Sequence, residues 1–132
     1  MQRVKRVLFI DDEREILDLA EDWLSSPGVS LDVAENLKEA IQKLIAHSYD
    51  VLVTDFLFPG EKGVDFLLWV TEKCPDLPVI VFTGDDRCEE SLKAVENRLE
   101  GVLHKPESLG ELCDRVRSLL EDSSSSTHDL NK

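Results

Sequence analysis

Five short apolar runs, each followed by a stretch whose apolar residues recur at helical spacing, restrict the folds open to this chain more than any other feature. Val4 to Ile10 (VKRVLFI) has the apolar density and β-branching of an inner strand. EREILDLAEDWL follows and sets Ile16, Leu17, Ala20, Trp23 and Leu24 on one helical stripe. Asp12 with Glu15 has the spacing of a helix N-terminal cap, and Pro27-Gly28 ends the helix. VSLDVA alternates Val29, Leu31 and Val33, after which Asn36 with Glu39 caps a stripe of Leu37, Ala40, Ile41, Leu44 and Ile45. DVLVTD is a third strand, FLFPGEKG a loop rich in chain breakers, and VDFLLWVTEK a helix with Phe66, Leu67 and Val70 inward. Pro75 and Pro78 bracket the turn into VIVF, a wholly apolar strand. Arg87 to Asn97 is a weaker helix resting on Leu92 and Val95, and GVLH is the last strand. Ser108 with Glu111 then opens a final helix with Leu112, Val116, Leu119 and Leu120 inside.

Such alternation implies parallel strands joined by right-handed crossovers, with helices covering both faces. The expected fold is therefore α/β, a doubly wound five-stranded parallel sheet with five surrounding helices. A chain of 132 residues makes one such domain. We place it at residues 1–121. The Ser-rich end from Asp122, DSSSSTHDLNK, lacks apolar periodicity and reads as a disordered tail or the start of a linker.

In open sheets of this kind, ligands bind beyond the carboxyl ends of the strands. Those ends carry Asp11-Asp12, Asp55, Thr83 and Lys105. Adjacent carboxylates at a strand end repel one another unless something positive sits there. Asp11, Asp12 and Asp55 make a hard-oxygen cluster suited to Mg²⁺ or Mn²⁺, with water completing the shell. Asp55, at the end of the central strand, is expected to keep one carboxylate oxygen for chemistry as a phosphoryl acceptor. Thr83 then offers its hydroxyl to a phosphoryl oxygen, and Lys105 balances the charge. Taken singly, each residue is an ordinary polar strand end; the ordered set is what points to a site.

Charge narrows the partners. With 28 acids against 15 bases the formal charge is −13, and no basic stripe offsets it, so direct binding to nucleic acid or to an anionic membrane is disfavoured. Cys74, Cys88 and Cys113 have no CxxC spacing and suggest neither a disulfide framework nor a cysteine zinc site. There is no N-terminal apolar segment with a cleavage site, and no apolar run near membrane-spanning length, so a reducing cytoplasm is the expected location.

These residues together resemble the response-regulator receiver domain of two-component signalling, over Met1 to Asp122. The resemblance runs through Asp11-Asp12, Asp55, Pro59 and Gly63 in DFLFPGEKG, the Thr83-Gly84 pair and Lys105-Pro106. It implies a sheet order of 2-1-3-4-5, a histidine kinase or phosphotransfer protein as phosphodonor, and an output domain or downstream protein as the regulated partner. It also implies a cis bond between Lys105 and Pro106.

Departures from the family pattern bear on mechanism. Receiver domains commonly carry Phe or Tyr three residues before the lysine as a rotameric switch, whereas this chain has Val102, whose χ1 is stiff. Phe58 stands before Pro59 where methionine is frequent, and Glu107 follows Pro106 where Phe is frequent. Leu57, two beyond Asp55, replaces a polar residue that many relatives hold near attacking water, while Asp85, two beyond Thr83, stays acidic. Two other functions compete: a receiver-like interaction module that works without phosphorylation, which Val102 keeps open, and a metal-dependent phosphatase, for which Leu57 removes the needed second acid.

Overall fold

A computed structural model of the chain describes residues 4–58, 60–84, 92, 93, 95–105 and 108–129, with residues 61, 96 and 122–129 described by backbone alone. The strands are β1 (Lys5–Ile10), β2 (Val29–Ala34), β3 (Val51–Thr54), β4 (Leu57–Phe58), β5 (Glu61–Lys62), β6 (Val79–Thr83) and β7 (Gly101–His104). The helices are α1 (Arg14–Leu24), α2 (Leu37–Ala46), α3 (Gly63–Lys73) and α4 (Leu109–Asp129). Five strands form one parallel sheet in the order β2-β1-β3-β6-β7, the 2-1-3-4-5 order expected of the main strands. The chain is thus the doubly wound α/β fold that the alternation implies.

The strands read as continuous apolar runs because both of their faces are covered. Val7, Phe9, Val53, Ile80 and Phe82 point into one core with Leu17 and Ala20 of α1 and Leu112 and Val116 of α4. Leu8, Ile10, Leu52 and Val81 point the other way, against Leu44 of α2 and Leu67 and Val70 of α3, with Leu92 and Val95 in the same core. Each fully buried Leu of this kind contributes about 1.5–3 kcal/mol over leaving it in water.

Several expectations change in the structure. Most of the helix read over Arg87 to Asn97 lies outside the described residues; what is described there is a turn and a 3₁₀ segment, Glu96–Arg98, and the described residues hold four α-helices. Leu92 and Val95 are nevertheless buried, as their spacing indicates. Ile45 is 74% exposed although the α2 stripe predicts it inside. Each four-residue step turns about 40° past a full turn, so the line Leu37, Ile41, Ile45 drifts off the face that Leu37, Ala40 and Leu44 share. Trp23 likewise sits at the border of the α1 face, partly exposed, with its ring beside Gly110 of α4. The loop FLFPGEKG contains a small antiparallel ribbon, Leu57 opposite Lys62 and Phe58 opposite Glu61. Two-residue strands are too short to show any periodicity. Gly60 in that ribbon takes φ 72°, a conformation that suits glycine.

The backbone of α4 continues past Asp122, where the sequence reading starts a tail. Pro59, Asp85, Cys88, the Lys105-Pro106 bond and Glu107 lie outside the described residues, as does most of Arg87 to Asn97.

Candidate functional site

Backbone hydrogen bonds carry the sheet ladder one residue beyond three strands and so set the site residues side by side. The Asp11 N–H donates to Ala34 O at 3.0 Å, the Asp55 N–H to Ile10 O at 3.1 Å, and the Lys105 N–H to Thr83 O at 2.9 Å. Asp11, Asp55 and Lys105 therefore follow directly from the parallel register, at the carboxyl edge where such sheets bind ligands. Thr83 is the last residue of β6, fully buried, beside β3 on one side and β7 on the other.

Lys105 is the hub. Its Nζ lies 2.7 Å from Asp11 Oδ2, 2.7 Å from Asp55 Oδ2 and 3.3 Å from Glu13 Oε2, and its side chain is only 8% exposed. Asp55 Oδ1 accepts the backbone N–H of Phe56 at 2.6 Å and of Leu57 at 3.2 Å. Each Asp55 oxygen thus has a donor, and the carboxylate is held in one orientation. The loop after Asp55 is packed tightly enough to fix those amides. A Cβ built on Gly63 would lie 1.9 Å from the Phe56 carbonyl oxygen, so only glycine can start α3 there.

Asp11 Oδ1 accepts the Glu13 N–H at 2.9 Å, a turn in which an aspartate bonds the amide two residues on. The N-cap of α1 is Glu13, with no side-chain cap bond, which corrects the reading of Asp12 as the cap. Asp12 is exposed.

Electrostatically the edge is unbalanced, with four carboxylates, Asp11, Asp12, Glu13 and Asp55, around one ammonium. Burial is the main influence on Asp11 and pushes its carboxyl up from 3.8 to about 6, against the hydrogen bonds from Lys105 and the Glu13 amide. For Lys105 burial acts to lower the pKa, yet hydrogen bonds to Asp11 and Asp55, with the charges of those acids, hold it above the ordinary lysine value. The lysine is charged at any physiological pH.

Asp11, Asp12 and Asp55 each bring a carboxylate oxygen into a group whose atoms lie within 4.8 Å of one another. Hard, anionic oxygens at this spacing fit a small divalent cation such as Mg²⁺, which prefers carboxylate and water ligands. Every sequence-predicted site residue stands at this edge. The reading missed Glu13, the third of the consecutive carboxylates in VLFIDDE, and the two amides on Asp55. The run of acids was the available signal for Glu13; nothing local marks the amides.

Val102 is half-buried and packs against the core on the α2 and α3 face. Leu57 is 51% exposed.

Residues 7–117 match the family described as response regulator receiver domain. Response regulator MprA of Mycolicibacterium vanbaalenii is 30% identical over 115 residues, covering 87% of this chain and 50% of that protein. The chain thus spans about half the length of the curated relatives it matches. Among solved structures, response regulator protein TrrA of Thermotoga maritima, in complex with Mg²⁺-BeF, superposes with a TM-score of 0.76 at 28% identity. It covers 87% of this chain and 98% of that one. A CheY-like receiver domain protein of Methanospirillum hungatei gives 0.82 at 22% identity, over 93% of this chain and 98% of that one, a likeness in fold alone. With its parallel sheet, its acids at the carboxyl edge and a family match over most of its length, the chain belongs to the response regulator receiver domain family.

Proposed function

We propose that the domain, residues 1–121, accepts a phosphoryl group on Asp55 from a histidine kinase or phosphotransfer protein, and so regulates an output domain or downstream protein. The observation that carries this is the held Asp55 carboxylate, paired with a buried Lys105 at 2.7 Å and set within reach of Asp11 and Asp12. The TrrA structure with Mg²⁺-BeF supports the same reading. Asp11, Asp12 and Asp55 are the residues that would hold Mg²⁺, or Mn²⁺, and the ion supplies positive charge for the phosphoryl oxygens.

The chain's own residues do the rest. The Phe56 and Leu57 amides fix the Asp55 carboxylate, removing rotational freedom before reaction. The carboxylate attacks phosphorus in line; a P–O bond forms as the donor's P–N bond breaks, and the departing imidazole takes up a proton. The acyl phosphate carries more negative charge than the carboxylate it replaces. Lys105, already charged and buried, offsets that gain without rearrangement of solvent. The Thr83 hydroxyl donates to a phosphoryl oxygen.

We place this signalling unit in the cytoplasm. No helix among the described residues is long and apolar enough to cross a membrane. A phosphorylation-independent interaction module is the second reading, favoured by Val102, a stiff side chain packed on the core where a ring would be needed to swing. Exposure to a small acyl phosphate with Mg²⁺, followed by intact mass, tests the proposal. One added phosphate in the parent and none in D55N is the expected result; equal labelling of both would refute the assignment.

A further inference from the structure

We propose that the groove between α2 and α3 docks a partner's amphipathic helix that carries acidic residues along the edge of its apolar face. The groove encloses about 500 Å³, with Ile41 from α2 facing Phe66 and Trp69 from α3. The Phe66 and Trp69 rings are stacked, with centroids 6.3 Å apart and planes 20° from parallel, so the buried Phe66 backs the partly exposed Trp69 ring on that wall. Ile45, one turn on from Ile41, extends the apolar strip into solvent. A cleft running between two helices is the shape in which partner helices lay their apolar faces.

The rim identifies the partner's charge. Lys38 and Lys62 flank the groove, and Asp65 is the acid among the lining residues described. Arg6, Arg14 and Lys105 are each tied to carboxylates, whereas among the described residues Lys38 and Lys62 have no ion pair. In a chain of formal charge −13, a rim of two unspent lysines to one acid is a local reversal. Charges farther than about 8 Å are largely screened at physiological ionic strength, so the rim outweighs the distant acids for a docked helix. The inference does not depend on Asp55 being phosphorylated.

Helical peptides displayed as a library, randomised along one face and selected on the full chain, test this. Enrichment of Asp or Glu beside aliphatic or aromatic anchors is expected. The selected peptide, titrated with Trp69 fluorescence as readout in a W23F background, should bind at least about tenfold more weakly to K38E/K62E and should weaken as salt is raised. Both lysines are exposed, so this variant tests the rim without disturbing the core; I41E tests the floor, with its melting temperature checked in parallel. Enrichment of basic flanks, or binding that neither variant reduces, would overturn the proposal. So would failure to select any binder that K38E/K62E weakens. Concentration-dependent self-association abolished by K38E/K62E would instead assign the groove to a second copy, and would equally overturn it.

Discussion

Two cation-centred clusters lie near the two ends of β1, and they solve opposite problems. Near its start, Arg6 bonds Asp32 at 3.0 Å, Tyr49 donates its hydroxyl to the same carboxylate oxygen at 2.6 Å, and the guanidinium lies 5.2 Å from the centre of the Tyr49 ring. One guanidinium meets one carboxylate there, and a neutral hydroxyl shares the same oxygen. Beyond the end of β1, one buried ammonium faces three carboxylates, of which Asp11 and Asp55 are buried and Glu13 is exposed. The first cluster is charge-matched and half in water, an arrangement that adds modestly to stability. The second is negative in excess where water cannot screen it, which leaves it suited to receive a cation and a phosphoryl group at some cost to the fold.

The largest expected contrast is functional. D55N should abolish phosphate gain entirely while keeping the fold, and D32N should leave it unchanged; intact mass after acyl phosphate treatment reads both. Loss of labelling in D32N would mean that the two clusters are coupled.

Stability should separate them next. K105A leaves Asp11 and Asp55 buried against one another without a counter-charge, and we expect a loss of about 2–4 kcal/mol by urea denaturation. R6A should lose about 1 kcal/mol or less, since its ion pair is partly solvated. Excess Mg²⁺ should restore K105A more than it stabilises the parent. Equal losses in the two variants would erase the distinction between matched and unmatched charge.

A smaller effect is expected at Leu57, whose exposed, apolar side chain stands two residues past Asp55 and cannot hold a water in line. L57N should shorten the lifetime of the phosphorylated protein by ~3- to 30-fold, followed as first-order decay in Mg²⁺ after the donor is removed. An unchanged or slower decay would show that Leu57 does not govern signal duration.

The smallest effect belongs to the matched cluster. At Asp32 burial acts to raise the pKa, but the Tyr49 hydrogen bond and Arg6 outweigh it, so the folded value lies below the ordinary 3.8. That contribution is present above about pH 4 and is lost as pH falls through the folded value. Tyr49 is raised by burial and by Asp32, so its contribution is present below about pH 10 and is lost as pH rises through its folded value. Y49F should cost about 1 kcal/mol at neutral pH and flatten the alkaline limb of the stability profile. An alkaline limb identical to the parent's would place that titration elsewhere.

Most of the site and of the sheet was legible because both rest on local patterns. Acids, hydroxyl and lysine each end an apolar strand, and parallel strands bring their ends to one edge. The α2 cap was legible for the same reason: the Asn36 side chain accepts the Glu39 N–H at 2.8 Å, three residues on. Glu13 was not, since its reach to Lys105 crosses 92 positions of sequence. The Arg6, Asp32 and Tyr49 cluster escaped in the same way, each residue unremarkable in its own segment. Ile45 and Trp23 were misread because an apolar residue at helical spacing reports a stripe but not the stripe's edge.

By itself, the sequence determined the strand and helix alternation, and hence a parallel sheet with ligand chemistry at its carboxyl edge, because side-chain period and caps act within a few residues. Its ordered acids, hydroxyl and lysine also determined the kind of chemistry that edge can support. Only the tertiary structure decided that Lys105 serves three carboxylates, that both Asp55 oxygens are engaged, and that Ile41 opens into a groove beside Trp69. Those outcomes depend on how deeply an edge is buried and which helices pack side by side. Distances and burial of that kind are set by contacts across the sheet, and no local pattern encodes them.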